Sequence, residues 1–445
     1  MSLKSRIRSE ALGLFLGAPA LSLRRAAAEA RRRLGRRPHH VRVFLQLDDP
    51  YSYLVSLFLP ELQAAYDVTI EVLLCQALGG EYAPHAELRN EYALADCRLM
   101  AREFGVPFLD KGDTPVIERR RALLDLLAGE QDNPGFAELC HAALSAYWRG
   151  DTGGVGRLLG NFPGDGSASE LIERNQRRLR ELGHYDSAML HYGGEWYWGV
   201  DRLHYLAERL DKLGVRHQAA KTEGLAALRQ AMRLGLPAAV PANAGQLPEL
   251  EFFFSFRSPY SYLALERTFR IADAFGIRLR VRGVLPMVMR GLSVPREKLL
   301  YIITDAKREA AWRGIPFRKF CDPLGAGTER CLAVLGLAQE LGREREFLLA
   351  AGQAIWDDAR DVATDAGLRR IVEQAGIAWS DALAALGGDA WRQEAEHNRE
   401  ALLDSGLWGV PSFRFGDVVF WGQDRDWLLA RQVEDRCQDG EGILV

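Results

Sequence analysis

Two stretches of this chain are close copies of one another, and that constrains the fold more than any other feature. Residues 41–54 read VRVFLQLDDPYSYL and residues 250–263 read LEFFFSFRSPYSYL, which sets Pro50 against Pro259 at an offset of 209. The same offset pairs Tyr92 with Tyr301, Asp96 with Asp305, and Gly105-Val106-Pro107-Phe108 with Gly314-Ile315-Pro316-Phe317. Near the end of each copy, Tyr197-Trp198-Gly199-Val200-Asp201-Arg202 meets Phe420-Trp421-Gly422-Gln423-Asp424-Arg425 at an offset of 223, so the second copy holds 14 more residues in between. Three islands in one order read as a tandem duplication, each copy roughly 180 residues long and so of ordinary domain size. A chain of 445 residues is too long for one hydrophobic core, which agrees with two domains.

Each copy shows the same plan. An apolar β-rich run opens it, Val41 to Leu47 and Leu250 to Phe256, and a proline-started helix follows. A second strand comes next, Val68 to Leu74 and Ile277 to Val284, then a long helical middle with 3.6-residue apolar spacing, as in Arg330 to Leu341. In the second copy, Val410-Pro411-Ser412-Phe413 and Val418-Val419-Phe420 flank Gly416-Asp417, a hairpin signal, and a last helix is expected from near Asp424. The predicted fold class is α/β: two tandem thioredoxin-like domains, each with an α-helical insertion. The boundaries follow as a basic extension 1–40, a first domain 41–215, a helix and linker 216–248, a second domain 249–432 and a tail 433–445.

Charge and cysteine usage bound the function. The net charge of −3 implies no general affinity for nucleic acid. The first forty residues nevertheless carry ten Lys or Arg against two Glu. Residues 22–34 read as a basic helix with Leu23, Ala27, Ala30 and Leu34 on one side, which suits a solvated extension, a membrane surface or a partner. Ala11 to Leu23 is apolar between basic flanks, as in a weak secretory signal, but Glu10 and the arginines after it argue against cleavage. No apolar run reaches the ~18 residues that span a bilayer, so no integral membrane association is expected. The six cysteines show no Cys-x-x-Cys and no zinc-ligand spacing; they read as free thiols of a cytoplasmic protein, with Cys321 and Cys331 as bystanders and no metal expected.

Candidate chemistry lies in the second copy. Ser258 and Pro259 stand where the first strand turns into the first helix. A serine before a helix-opening proline is ordinary capping, and the same helix end, with free amides and positive dipole, favours a thiolate. Val410-Pro411 precedes a strand; X-Pro bonds are usually trans, whereas a cis bond there leaves the Val410 backbone open to an extended peptide. Gln423 and Asp424 precede the last helix, either as its acidic start or as a grip on an ammonium and carboxylate.

These residues, FSFRSPYSYLA (254–264), Tyr301 with Asp305, RGIPF (313–317), GLWGVPSF (406–413) and FWGQDR (420–425), make the second copy resemble the DsbA-like families of kappa-class glutathione transferases and 2-hydroxychromene-2-carboxylate isomerases. The resemblance implies glutathione as cofactor, with Ser258 at its sulfur, Val410 and the cis Pro411 on the tripeptide backbone, and Gln423 with Asp424 at its γ-glutamyl end. Those families place an asparagine after the second strand, where Ser293 and Arg290 are the polar residues available here. The implied activity is isomerisation or transfer on a hydrophobic, aromatic small molecule. The alternative is a non-catalytic peptide- or partner-binding module; DsbA-type oxidoreduction lacks the cysteine pair it needs.

In the first copy the Ser258 position is Asp49, beside Asp48, and the Pro411 position is Ala188. A carboxylate there repels a thiolate, so this copy is expected to be silent. It then serves as a built-in partner, a pseudo-dimer within one chain, unless Asp48, Asp49 and His184 form a separate site.

Overall fold

The computed structural model describes residues 17–110, 113, 115–161 and 168–441. The chain divides into two compact units, one spanning Ser22–Arg233 and one comprising, among the described residues, 17–21 and 234–441. The stretch 216–248, read as a helix and linker, contains the helix Glu223–Ala231. That helix belongs to the first unit, where Leu225 and Leu228 are buried and Glu61 accepts a hydrogen bond from the Leu225 amide at the helix start.

In the first unit, β1 (His40–Leu45) runs parallel to β2 (Thr69–Leu74) and antiparallel to β3 (Met189–Tyr192), which forms a hairpin with β4 (Glu195–Trp198). Gly193 and Gly194 both take positive φ at the hairpin turn, as a tight two-residue turn requires. In the second unit, β5 (Leu250–Phe254), β6 (Leu279–Gly283), β7 (Ser412–Phe415) and β8 (Val418–Trp421) pair in the corresponding way. The strand orders are β2-β1-β3-β4 and β6-β5-β7-β8. Strand β5 sits inside its sheet and is covered on both faces, which is why it reads as an unbroken apolar run rather than an alternating one. Phe252 stacks on Phe413 across the β5–β7 ladder at 5.1 Å.

Both first strands feed a helix with proline in its first turn, Pro50–Ala65 and Pro259–Phe275. Proline suits that position because its φ is already helical and its missing N–H has no partner there. Between β2 and β3 the first unit inserts helices Ala86–Phe104, Arg120–Glu130, Phe136–Trp148, Thr152–Asn161 and Ala168–Glu181. Between β6 and β7 the second inserts Arg296–Arg313, Ala326–Glu340, Glu344–Trp356, Asp365–Gln374, Trp379–Leu386 and Ala390–Asp404.

The insertions are tied to the first helix by the same side chains in both units. Tyr51 donates to Asp96 at 2.8 Å, as Tyr260 does to Asp305 at 2.8 Å. Tyr53 donates to the Pro107 carbonyl at 2.6 Å and Tyr262 to the Pro316 carbonyl at 2.7 Å. The indole N–H of Trp148 reaches the Leu47 carbonyl, and that of Trp356 reaches the Phe256 carbonyl. Each satisfies a buried polar group that would otherwise cost about 1–3 kcal/mol. Through these ties each insertion stands fixed over the helix N-terminus.

Candidate active site

Ser258 is the N-cap of the Pro259 helix. Its extended backbone (φ −91°, ψ 114°) lets Oγ accept from the Ser261 N–H at 3.1 Å. The same hydroxyl donates to the Val410 carbonyl at 3.3 Å, 152 residues away in sequence. The structure thus brings Ser258 and Val410 together. The Val410–Pro411 peptide is cis, as the family resemblance implied and against the trans state that X-Pro statistics alone favour. Around it, Ser412 Oγ donates to the Gly409 carbonyl at 2.7 Å and the Gly422 N–H donates to the Pro411 carbonyl at 2.9 Å. Trp408 and Trp421 lie 4.9 Å apart beside this loop. A Cβ on Gly409 would stand 2.9 Å from the Trp421 indole nitrogen, so the loop needs glycine to pass there.

Gln423 is not presented as expected. It is 1% exposed, and both ends of its amide are engaged inside the unit. Its Oε1 accepts from Arg267 Nη2 at 2.9 Å, its Nε2 donates to Glu309 at 2.8 Å, and its backbone carbonyl also accepts from Arg267. The physical reason is the buried Arg267 guanidinium, which is satisfied by burying this amide against it. Asp426 pairs with Arg267 at 3.0 Å and with Arg313 at 3.6 Å, while Arg313 also reaches Glu309 at 3.3 Å. Burial pushes the Arg267 guanidinium down to about 10. The last helix starts at Asp426 rather than Asp424, because Gln423–Arg425 form a 3₁₀ turn held by this network. Asp424 stays part-exposed at the turn, whereas Ser293 lies exposed on the connection leading to the helix Arg296–Arg313.

Sequence reasoning missed Arg267, Glu309, Arg313 and Asp426, although the repeat carried a signal. At the two offsets their counterparts in the first copy are Phe58, Met100, Phe104 and Leu203, with Val200 opposite Gln423. A polar cluster in the second unit thus stands opposite apolar residues at the matching offsets in the first.

The first unit's equivalent corner is closed by its own carboxylate. Asp49 caps the Pro50 helix, accepting from the Tyr51 and Ser52 N–H groups, from Ser52 Oγ at 2.7 Å and from Ser187 Oγ at 2.9 Å. Burial, more than any neighbouring charge, raises the Asp49 carboxyl above the usual carboxylate range. Asp48, Asp49 and His184, considered as a separate site, have different partners. Asp48 pairs with Arg120, and His184 accepts from the Asp186 N–H at 3.2 Å and stacks on Tyr185. Cys75, Cys97, Cys140, Cys321, Cys331 and Cys437 are all free and buried, and the helix N-termini hold serine or aspartate instead.

Residues 249–434 match the family model described as a DSBA-like thioredoxin domain. The C-terminal half is a DSBA-like thioredoxin domain. The chain is similar to 2-hydroxychromene-2-carboxylate isomerase of Pseudomonas putida, at 24% identity over 207 residues, 44% of this chain and 98% of that protein. The isomerase of Sphingobium xenophagum is 28% identical over 185 residues, 40% of this chain and 93% of that protein. A solved 2-hydroxychromene-2-carboxylate isomerase covers 44% of this chain and 100% of its own at 22% identity, with a TM-score of 0.39. Among the described residues no helix is long and apolar enough to cross a membrane.

Proposed function

We propose that the DSBA-like domain carries a glutathione-dependent isomerase or transferase site for a hydrophobic, aromatic small molecule. The observation that carries this reading is the Ser258 hydroxyl, held at a helix N-terminus against the Val410 carbonyl beside Pro411. Relatives named as 2-hydroxychromene-2-carboxylate isomerases support the reaction class. Glutathione, when bound, supplies a thiolate nucleophile that adds to an activated double bond and later leaves, which is covalent catalysis by a borrowed group. The chain's own part is to hold that sulfur ionised and in place. Ser258 turns its hydroxyl from Val410 toward the sulfur, and the Pro259 helix end favours the negative charge. The Val410 backbone and Pro411 take the peptide portion, and Asp424 takes the ammonium end. Gln423 fixes the turn that carries Asp424 instead of touching the ligand, and Ser293 stands in for the loop amide of the family.

In the same reading, the two halves descend from one duplicated domain and the first has lost its thiol site. The matching Tyr–Asp, Tyr–carbonyl and Trp–carbonyl ties support common descent. Asp49 supports the loss, since it occupies the helix end that a thiolate requires. Six reduced, buried thiols suit a cytoplasmic setting. A non-catalytic binding module is the second reading, favoured by the internal engagement of the Gln423 amide.

Calorimetry with glutathione on wild type and Ser258→Ala, paired with turnover of 2-hydroxychromene-2-carboxylate, separates the two. The enzyme reading expects weaker binding and turnover reduced on the order of 100-fold, beyond the ~1 kcal/mol of a lost cap. Turnover retained in Ser258→Ala would remove the assigned role, and no heat of glutathione binding would leave the binding module.

A further inference from the structure

The helix Ala18–Leu34 places charged side chains on its inward side, beside the half-buried Leu21 and Ala28, and leaves two leucines on its outer side. A helix on a globular protein normally buries its apolar stripe and exposes its charges. Here the charged stripe Arg25, Glu29 and Arg32 faces the protein. Arg25 makes a two-point pair with Glu195 at 2.7 and 2.8 Å, and Glu195, itself buried, is held from its other side by Arg209 at 2.9 Å. Arg32 grips Glu29 at 2.7 and 2.9 Å and also donates to the Arg37 carbonyl. The opposite face presents Leu23, Ala26, Ala30 and Leu34 to solvent, with the two leucines 71% and 86% exposed. Arg31 and Arg33, both exposed, project roughly 80° to either side of that stripe by helical geometry, and Arg36 and Arg37 follow it. Arg33 pairs with Glu29, whereas Arg31, Arg36 and Arg37 form no ion pair among the described residues.

The geometry points to this face as a docking site for an anionic lipid surface. An apolar strip with arginines on both flanks matches a bilayer interface: the leucines enter the acyl boundary while the guanidinium groups spread sideways to lipid phosphates. Charge complementarity selects the occupant, since three uncommitted cations need anions that an apolar protein groove does not supply. A second copy of the chain is disfavoured on area and on charge. Two leucines and two alanines fall well short of the roughly 800 Å² per partner of a stable interface. A two-fold contact would also bring together two copies of the same arginine-flanked face, adding like charge and no anion for Arg31, Arg36 and Arg37. The strip is short, so attachment relies on the arginines and is reversible rather than integral.

Vesicle flotation of the full chain tests this. Wild type should float with phosphatidylcholine vesicles containing about 30 mol % phosphatidylglycerol, stay behind with pure phosphatidylcholine, and be released by high salt. Leu23→Asp with Leu34→Asp should abolish flotation without moving the melting temperature, because neither side chain is packed. Arg31→Gln, Arg36→Gln and Arg37→Gln together should weaken binding roughly 100-fold. Equal behaviour on the two vesicle types, or no flotation at low salt, overturns the inference. So does a dimeric mass without vesicles that Leu34→Asp returns to monomer, since a second copy would then cover the face.

Discussion

Replacing Arg267 with phenylalanine, the residue at its counterpart Phe58, tests why one unit keeps a buried charged cluster where the other is apolar. Arg267 is 7% exposed and sits between Asp426 and the Gln423 amide. Removing it leaves Asp426, 3% exposed, with only the longer Arg313 contact, and leaves the Gln423 Oε1 without its donor. Breaking a buried pair from one side costs about 3–5 kcal/mol. At about 2–4 °C per kcal/mol for a unit of this size, the second unit's melting temperature should fall on the order of 10 °C. The full exchange, Arg267→Phe with Glu309→Met, Arg313→Phe, Gln423→Val and Asp426→Leu, should recover most of that loss. Replacing every member of a buried ionic network by packed apolar residues is neutral or stabilising by about 1–4 kcal/mol. The assay is thermal unfolding of the full chain by calorimetry, with glutathione binding measured on each variant. The network reading expects the five-fold variant to be stable but defective in binding, because the turn carrying Asp424 has lost its anchor. Arg267→Phe melting within about 2 °C of wild type would refute the energetic reasoning. A five-fold variant that binds normally would refute the positioning role.

Two further outcomes follow from the first unit. His184 is buried, accepts from the Asp186 N–H through Nδ1, and is held neutral by burial, its pKa down to about 3 from 6.5. The unfolded imidazole therefore takes up its proton first as pH falls, so the stability this group contributes is complete above pH 6.5 and lost progressively toward pH 3. His191, lowered to about 4, acts in the same direction, and His184→Asn should flatten the acid limb of a pH-dependent urea titration without removing it. Asp49→Ala deletes a helix cap and the acceptor of two serine hydroxyls, so the first unit should lose about 1–2 kcal/mol in the same titration. Glutathione binding by Asp49→Ala should match wild type; a loss would place the thiol site in the first unit instead.

Much of the architecture was legible in the sequence because it is set locally or by repetition. The repeat at offsets of 209 and 223 marked strand, helix start and hairpin, and proline in the first helical turn needs no tertiary partner to act. Ser258 could be singled out for the same reason, since a cap is defined by its immediate neighbours. The direction in which Gln423 aims its amide is a different kind of fact. It depends on Arg267, 156 residues earlier, whose guanidinium requires acceptors once the fold buries it. The helix Ala18–Leu34 shows the same division. Residue spacing alone gave an apolar line through Leu23, Ala27, Ala30 and Leu34 beside a charged one, without saying which faces inward. That was decided by Glu195, a buried carboxylate on β4 that Arg25 and Arg209 neutralise together, so the charged face turned in and the leucines were left in solvent. Sequence fixes what each segment can form; the burial of a charge from a distant segment chooses which face it shows.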